Sequence, residues 1–178
     1  MIRPRLGRVP WGAALVVVAG ALPSGLRAQT AAIPVDAEIS STLLSIANPQ
    51  HLRFGAVVPG TPTVLDPRTS TTVGSFEIHG NRNAEVAVSM VLPTQLVVGP
   101  YTIPVAFGAN AGCWRVRNQQ NACALYDPST LLVQRIRNSA APNNTLFIWL
   151  GGTASPAVGQ RAGHYTATIT ASVVYTGN

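Results

Sequence analysis

The sequence predicts an all-β protein folded as an antiparallel β-sandwich with a disulfide loop in the middle of the chain. Three observations support this: short apolar runs that alternate with polar residues, turn-forming residues between those runs, and two closely spaced cysteines. About eight to ten such runs, separated by Gly, Pro and Asn, are typical of a sandwich or a barrel. The sandwich is favoured because the connections between the runs are uneven in length.

The N-terminus has the features of an export signal. A basic start is followed by an apolar stretch at residues 11–22 and by a cleavage motif at residues 23–28 (PSGLRA). This stretch is shorter than the roughly 20 residues that a membrane-spanning helix needs, so we expect cleavage and no membrane insertion afterwards. Residues 1–28 are therefore predicted to be a signal peptide, and the protein is expected in the periplasm, at the cell surface or outside the cell.

Removing the signal would change the charge of the chain. The full sequence has a net charge of +6, but four of its twelve arginines lie in the signal: Arg3, Arg5, Arg8 and Arg27. The processed chain keeps eight arginines and six carboxylates, a net charge of +2. The remaining arginines are scattered, whereas nucleic-acid binding proteins have a clustered basic face, so no nucleic-acid partner is predicted.

Residues 29–41 are predicted to form an N-terminal arm that precedes a β-sandwich domain at residues 42–178. Four apolar residues of the arm alternate with polar ones, as in a strand: Ile33, Val35, Ala37 and Ile39. Pro34 has no amide hydrogen, so the arm is expected to pair only at a sheet edge.

The first half of the sandwich domain is predicted to contain two hairpins. One joins residues 73–79 to residues 84–92 through residues 80–83 (GNRN), and the other joins residues 95–98 to residues 101–107 through Gly99 and Pro100. Earlier strands are expected at residues 42–47, which a turn at Asn48 and Pro49 ends, at residues 52–58 and at residues 63–65.

The second half is predicted to end in a long, regular strand. Residues 131–137 are expected to form a strand, and the nearly continuous apolar run at residues 145–150 is expected to be central. The terminal strand has one predominantly apolar face: Tyr165, Ala167, Ile169, Ala171, Val173 and Tyr175. This edge strand either completes a finished sandwich or forms one side of a groove that takes a partner's strand.

Cys113 and Cys123 are predicted to form a disulfide, which is the usual state of paired cysteines in an exported protein. The closed loop would stabilise the fold by about 2.7 kcal/mol in the chain-entropy model. Within the loop region, Trp114, Arg115 and Arg117 are candidates for a ligand-binding loop, and the alternative is that Trp114 covers the base of the loop.

The sequence contains no pattern typical of catalysis. Metalloprotease, nucleophile-elbow and phosphate-loop motifs are absent, and the histidines His51, His79 and His164 are scattered. Glu77 and His79 would share one strand face, where a solvent-exposed polar patch is favoured over an acid–base or metal site. We therefore predict a protein that is not an enzyme, with no catalytic residues, no metal site and no cofactor.

Several short motifs occur in a characteristic order: residues 51–55 (HLRFG), 57–60 (VVPG), 74–80 (GSFEIHG), 86–89 (VAVS), 150–153 (LGGT) and 163–165 (GHY). In this order they resemble a bacterial secreted family known as a domain of unknown function, whose members look like fimbrial subunits. That family is similar to chaperone–usher pilins, whose immunoglobulin-like sandwich lacks one strand and takes a neighbour's N-terminal arm. The mid-chain cysteines and Pro34 differ from the pilin pattern.

The resemblance implies a structural or adhesive cell-surface protein that assembles by β-strand addition. Its expected partners are further copies of itself, in an oligomer or filament formed through sheet edges, together with a periplasmic chaperone and an usher. The alternative is a self-complete monomeric secreted module that binds a ligand such as a carbohydrate through the loop at residues 113–123.

Overall fold

The computed structural model describes residues 43–137 and 144–177, and in this part of the chain the regular structure is twelve β-strands and one short 3₁₀ turn. In chain order the strands are β1 (Ser45–Gln50), β2 (Thr63–Leu65), β3 (Gly74–His79), β4 (Glu85–Val91), β5 (Gln95–Val98), β6 (Tyr101–Ala106), β7 (Gly112–Arg115), β8 (Ala124–Tyr126), β9 (Leu132–Arg135), β10 (Thr145–Leu150), β11 (Gly152–Ala154) and β12 (Thr170–Tyr175). The predicted signal peptide and arm lie outside the described residues.

The strands form three antiparallel sheets. Their orders are β1-β3-β10-β7-β8, β12-β4-β9 and β2-β11-β6-β5. The five-stranded and three-stranded sheets face each other across a shared core, and the four-stranded sheet continues from both of them. Gly151 links β10 to β11, and residues 92–94 link β4 to β5. The all-β sandwich prediction is confirmed.

Alternating side chains of the two facing sheets build the main core. Phe76 and Ile78 of β3 lie against Val86 and Val88 of β4, and the same cluster includes Leu132, Ile136, Leu146 and Ile148. All eight are buried, and burial of a side chain of this size contributes roughly 1.5–3 kcal/mol. In β3 the period-two pattern of the sequence therefore decides which face points inward.

Strand β10 is buried on both faces, as the apolar run at residues 145–150 predicted. Leu146 and Ile148 point into the main core, while Phe147 and Trp149 point the other way into a second cluster with both cysteines. The rings of Phe147 and Trp149 stack with centroids 5.9 Å apart. The position of β10 in the middle of the five-stranded sheet explains why it has no polar face.

The predicted hairpin through residues 80–83 is wrong, because β3 and β4 belong to different sheets. β3 pairs with β1 and β10, whereas β4 pairs with β12 and β9. The connection instead crosses from one layer to the other and is held by distant residues: the Asn83 amide donates to the Ile136 carbonyl at 2.7 Å. The second predicted hairpin is confirmed, with Val98 opposite Tyr101 and Gly99 at a φ of +53°.

Two predictions near the start of the domain are also wrong. The turn expected at Asn48 and Pro49 lies within β1, where the pairing register with β3 shifts between Ala47 and Gln50. Proline is tolerated there because β1 is an edge strand, and an edge position does not require every amide hydrogen. The strand expected at residues 52–58 is irregular chain instead.

The terminal strand is shorter than predicted. Regular pairing with β4 covers Thr170–Tyr175, and before it a single bridge joins Thr166 to Val97 of β5. The ladder ends where Thr170 faces Val91, two residues before Pro93, which has no amide hydrogen to continue it. The predicted inward face is confirmed for Ile169, Ala171, Val173 and Tyr175, which pack against the main core.

Candidate functional site

A cavity of about 930 Å³ opens at one end of the sandwich, between two non-regular segments. One side is formed by the end of β1 and the irregular chain that follows it, residues 48–57, and the other side by residues 163–169 before β12. The side chains between them are apolar and come from the five-stranded sheet, the four-stranded sheet and the chain just after β6: Phe76, Leu96, Ile103, Val105, Phe107 and Leu150. We call this cavity the edge groove.

Both sides of the groove continue into strands at a sheet edge. Among the described residues, β1 pairs with β3 alone and β12 pairs with β4 alone. Thr166 and Val97 exchange two backbone hydrogen bonds, of 2.9 and 3.1 Å. Backbone groups alternate in direction along an antiparallel strand, so those of Tyr165 and Ala167 point away from β5. This arrangement presents hydrogen-bonding groups to a further strand.

The first side of the groove is fixed to the neighbouring loop. The Arg53 amide donates to the Thr72 carbonyl at 2.9 Å, and the Gln50 side chain donates to the Thr71 carbonyl at 2.5 Å. Leu52 lies so close to Gly74 that a Cβ added there would come within 3.2 Å of the Leu52 Cβ. The side chain of any other residue at position 74 would therefore push against this side of the groove.

The second side is fixed through Tyr165. Its hydroxyl donates to the Arg161 carbonyl at 2.8 Å and accepts a hydrogen bond from the Gln160 amide at 2.6 Å. The Arg161 guanidinium lies 5.1 Å from the centre of the Tyr101 ring and donates to the Tyr101 hydroxyl at 2.8 Å. Tyr165 was predicted from the sequence, whereas Tyr101, Gln160 and Arg161 were not, because their proximity depends on contacts between distant segments.

The charged and chargeable groups at the groove are predominantly basic. Arg53, His51 and His164 line it and are exposed, and among the described lining residues there is no carboxylate. These three residues are scattered in the sequence. The fold brings them to one opening.

The disulfide between Cys113 and Cys123 is present, with an S–S distance of 2.04 Å. Arg68 fixes the loop from outside: its Nε and Nη2 atoms donate to the Cys123 carbonyl at 3.0 and 2.7 Å. Gln120 donates to the carbonyls of Pro67 and Ser70, each at 2.9 Å. The loop is thereby tied to residues 67–70 and covers the outer face of β10.

The three proposed ligand-loop residues differ in burial and in the contacts that they make. Trp114 is half-buried and packs against the main core, and Arg115 donates to the Ala122 carbonyl inside the loop. Arg117 is exposed. Two of the three candidates thus make contacts within the protein, and the ligand-loop hypothesis stays a prediction.

The remaining predicted site residues lie at the opposite end of the sandwich, beside the groove, or outside the described residues. Tyr175 closes the end of the sandwich opposite the groove, where its hydroxyl accepts a hydrogen bond from the Asn81 amide at 2.7 Å. Ala167 is exposed beside the groove. The predicted strand-exchange arm, with Ile33, Val35, Ala37 and Ile39, lies outside the described residues.

Glu77 and His79 form a surface pair on β3. Their side chains approach to 3.7 Å, and the His79 Nδ1 atom lies 3.0 Å from the Thr145 hydroxyl. In the described segments, no three His, Cys, Asp or Glu side chains come together in a way that would hold a metal ion.

Comparisons with models of protein families, with curated proteins and with solved structures find no match to this chain. Within residues 43–137 and 144–177, no helix is long and apolar enough to cross a membrane.

Proposed function

We propose that this protein is an exported structural or adhesive subunit that assembles by taking an extended strand into the edge groove. The observation that carries the proposal is the groove itself: an apolar cavity of about 930 Å³ between the segments that continue into two edge strands. An apolar strip flanked by sheet edges is the surface to which an extended peptide adds as a further strand.

The donor in this proposal is the N-terminal arm, residues 29–41. Its four apolar residues, Ile33, Val35, Ala37 and Ile39, fall at every second position and therefore share one face of an extended strand. This face would contact the apolar lining of the groove. The backbone of the arm would pair with residues 163–169, where the groups of Tyr165 and Ala167 point away from β5.

Export is part of the same proposal. A disulfide and the lack of a membrane-spanning helix in the described residues are compatible with an exported protein. The predicted signal peptide supports the export step. A periplasmic chaperone and an usher remain proposed partners on the resemblance described above.

The test is assembly of the processed full chain after the arm is altered. We expect wild type to form oligomers whose size grows with protein concentration, measured by light scattering. Ile33→Ser/Val35→Ser should shift the protein to the monomer, because two apolar side chains no longer enter the groove. A matched control, Gln29→Ser/Thr30→Ser, alters the arm outside the alternating run and should assemble like wild type.

Two results would contradict the proposal. One is a wild-type protein that stays monomeric at every concentration, and the other is an Ile33→Ser/Val35→Ser variant that assembles as well as the control. A cooperative unfolding transition and a far-UV circular dichroism spectrum like that of wild type would show that the sandwich of the variant is intact, and its melting temperature should be lower because its groove is empty.

A further inference from the structure

We infer that the edge groove selects a strand with an acidic outer face, and that the occupant it fits is residues 29–41 of a second copy of this chain. This inference rests on the proposed function, and it adds what decides which strand is accepted. The observations behind it are the positions of the few charged residues of the protein.

The groove offers positive charge that is not paired within the described residues. Arg53 lines the groove, its side chain is exposed, and the ion pairs of the described segments are formed by other residues: Glu77 with His79 and Glu85 with Arg135. His51 and His164 lie at the same opening. An incoming carboxylate would therefore meet Arg53 without competition from an acid of the groove lining.

The chain has six carboxylates, and four of them have partners in the described residues. Besides Glu77 and Glu85, Asp66 accepts a hydrogen bond from the Arg68 amide at 2.7 Å, and Asp127 accepts one from the Ser129 hydroxyl at 2.6 Å. The other two carboxylates, Asp36 and Glu38, both belong to the arm. One third of the acidic residues thus lies in the segment proposed as the donor.

The positions of Asp36 and Glu38 match the charge of the groove opening. They are two residues apart and alternate with Val35, Ala37 and Ile39, so they lie on the opposite face of an extended strand. When the apolar face contacts the groove, the carboxylates face outward, on the side where the exposed cations lie. Complementary charge of this kind sets partner choice and association rate more than total affinity.

The direction of the chain favours a second copy as the donor. Leu44, just before β1, lies near Gly80 and Tyr175, at the end of the sandwich opposite the groove. To enter its own groove, the arm would have to reverse direction just before β1 and run back along it, antiparallel to β1 and parallel to β12. The arm of a second copy needs no such reversal, and it can run antiparallel to residues 163–169, the direction that pairs slightly more stably per residue.

The test is a charge exchange between acceptor and donor. The acceptor is the processed full chain with Ile33→Ser/Val35→Ser, so that its own arm does not compete, and the probe is a synthetic peptide of residues 29–41. We expect Arg53→Glu in the acceptor to weaken binding of the wild-type peptide about 5- to 20-fold, since an attraction of surface strength becomes a repulsion. Arg53→Gln should give an intermediate loss.

A peptide of residues 29–41 with both Asp36→Arg and Glu38→Arg completes the exchange. It should bind the unaltered acceptor weakly, and it should bind the Arg53→Glu acceptor with a Kd within about threefold of that of the wild-type pair. Arg137→Glu, the same change at an exposed arginine outside the groove lining, is the control and should leave binding unchanged. Raising the salt concentration should weaken the wild-type pair, because exposed charges are screened within about 8–10 Å.

The outcomes separate this inference from the proposed function. If all peptides bind equally well to every acceptor, strand uptake stands and charge selection is overturned. If Arg53→Glu weakens binding and the exchanged peptide does not recover it, charge selection is also overturned. If no peptide binds and wild type is monomeric, the proposed function itself fails.

Discussion

Tyr126 of β8 packs against the core, and this position changes the pKa of its hydroxyl. Its ring packs against the main core beside Gly112, where a Cβ would come within 2.6 Å of the ring. The hydroxyl meets only the weakly accepting Met90 sulfur at 3.9 Å among its described hydrogen-bond partners. Burial raises the pKa of Tyr126 well above its ordinary value, because the ionised form loses its hydration.

This pKa shift predicts a loss of stability in alkaline solution. Tyr126 would ionise near pH 10 in the unfolded chain but stays neutral in the fold, so the folded state loses stability as the pH rises above about 10. The contribution of one such group approaches about 1.4 kcal/mol per pH unit. Tyr126→Phe should remove this loss of stability at alkaline pH. Urea unfolding at pH 7 and at pH 11 measures the difference.

At pH 7 the same Tyr126→Phe variant serves as its own control. Its stability there should lie within about 1 kcal/mol of wild type, since the hydroxyl makes one weak contact. An equal loss of stability between pH 7 and pH 11 in variant and wild type would contradict the prediction.

At the scale of the elements, the disulfide loop acts as a cover for β10. Cys113 and Cys123 are buried with Phe147 and Trp149, and Arg68 and Gln120 tie the loop to residues 67–70. The spacing of the cysteines in the sequence was enough to predict the bond. That the loop closes over the outer face of β10 was not predictable, because it depends on contacts with a loop about fifty residues earlier in the chain.

Cys113→Ala/Cys123→Ala should therefore destabilise the protein by about 2–5 kcal/mol, through a less constrained unfolded state and a looser cover. The matched control is Arg117→Ala, which alters an exposed side chain of the same region. Chemical denaturation gives the free energies of unfolding. With Trp114→Phe added to both the variant and its control, a red shift of tryptophan fluorescence in the folded variant would show that Trp149 meets water. Unchanged stability and fluorescence together would contradict the role as a cover.

The connection between β3 and β4 shows where turn-forming residues in the sequence are misleading. Gly80 and Asn81 are residues typical of a hairpin turn, yet the chain uses them to change layers. Gly80 is also closely packed there: a Cβ would stand 2.7 Å from the Tyr175 hydroxyl and 2.9 Å from Ile136, so the ends of these side chains would have to move. The same residue type thus satisfies a packing demand that a local pattern does not reveal.

At the scale of the whole molecule, the edge groove leaves the sandwich open at one end. A strand that fills it would bind the folded state alone and would stabilise it by mass action. The proposal therefore predicts a thermal effect that does not depend on measuring assembly. This gives a second route to the donor strand.

We expect the synthetic peptide of residues 29–41 to raise the melting temperature of the chain with Ile33→Ser/Val35→Ser. At a peptide concentration of about 100 Kd the gain is about 2.7 kcal/mol, or roughly 5–10 °C for a domain of this size. A peptide of the same composition in scrambled order should have no effect. Equal shifts with both peptides, or none with either, would count against strand uptake.

The sequence alone determined the strand content, the disulfide, the burial of β10 on both faces and the inward side of β12. Each of these follows from local chemistry: period-two alternation, β-branched residues and paired cysteines. The tertiary structure decided that β3 and β4 lie in different layers, that residues 52–57 form one side of the groove instead of a strand, and that Arg53, His51 and His164 share one opening. These features depend on which distant segments meet, and pairing between segments far apart in sequence is not encoded in any local pattern.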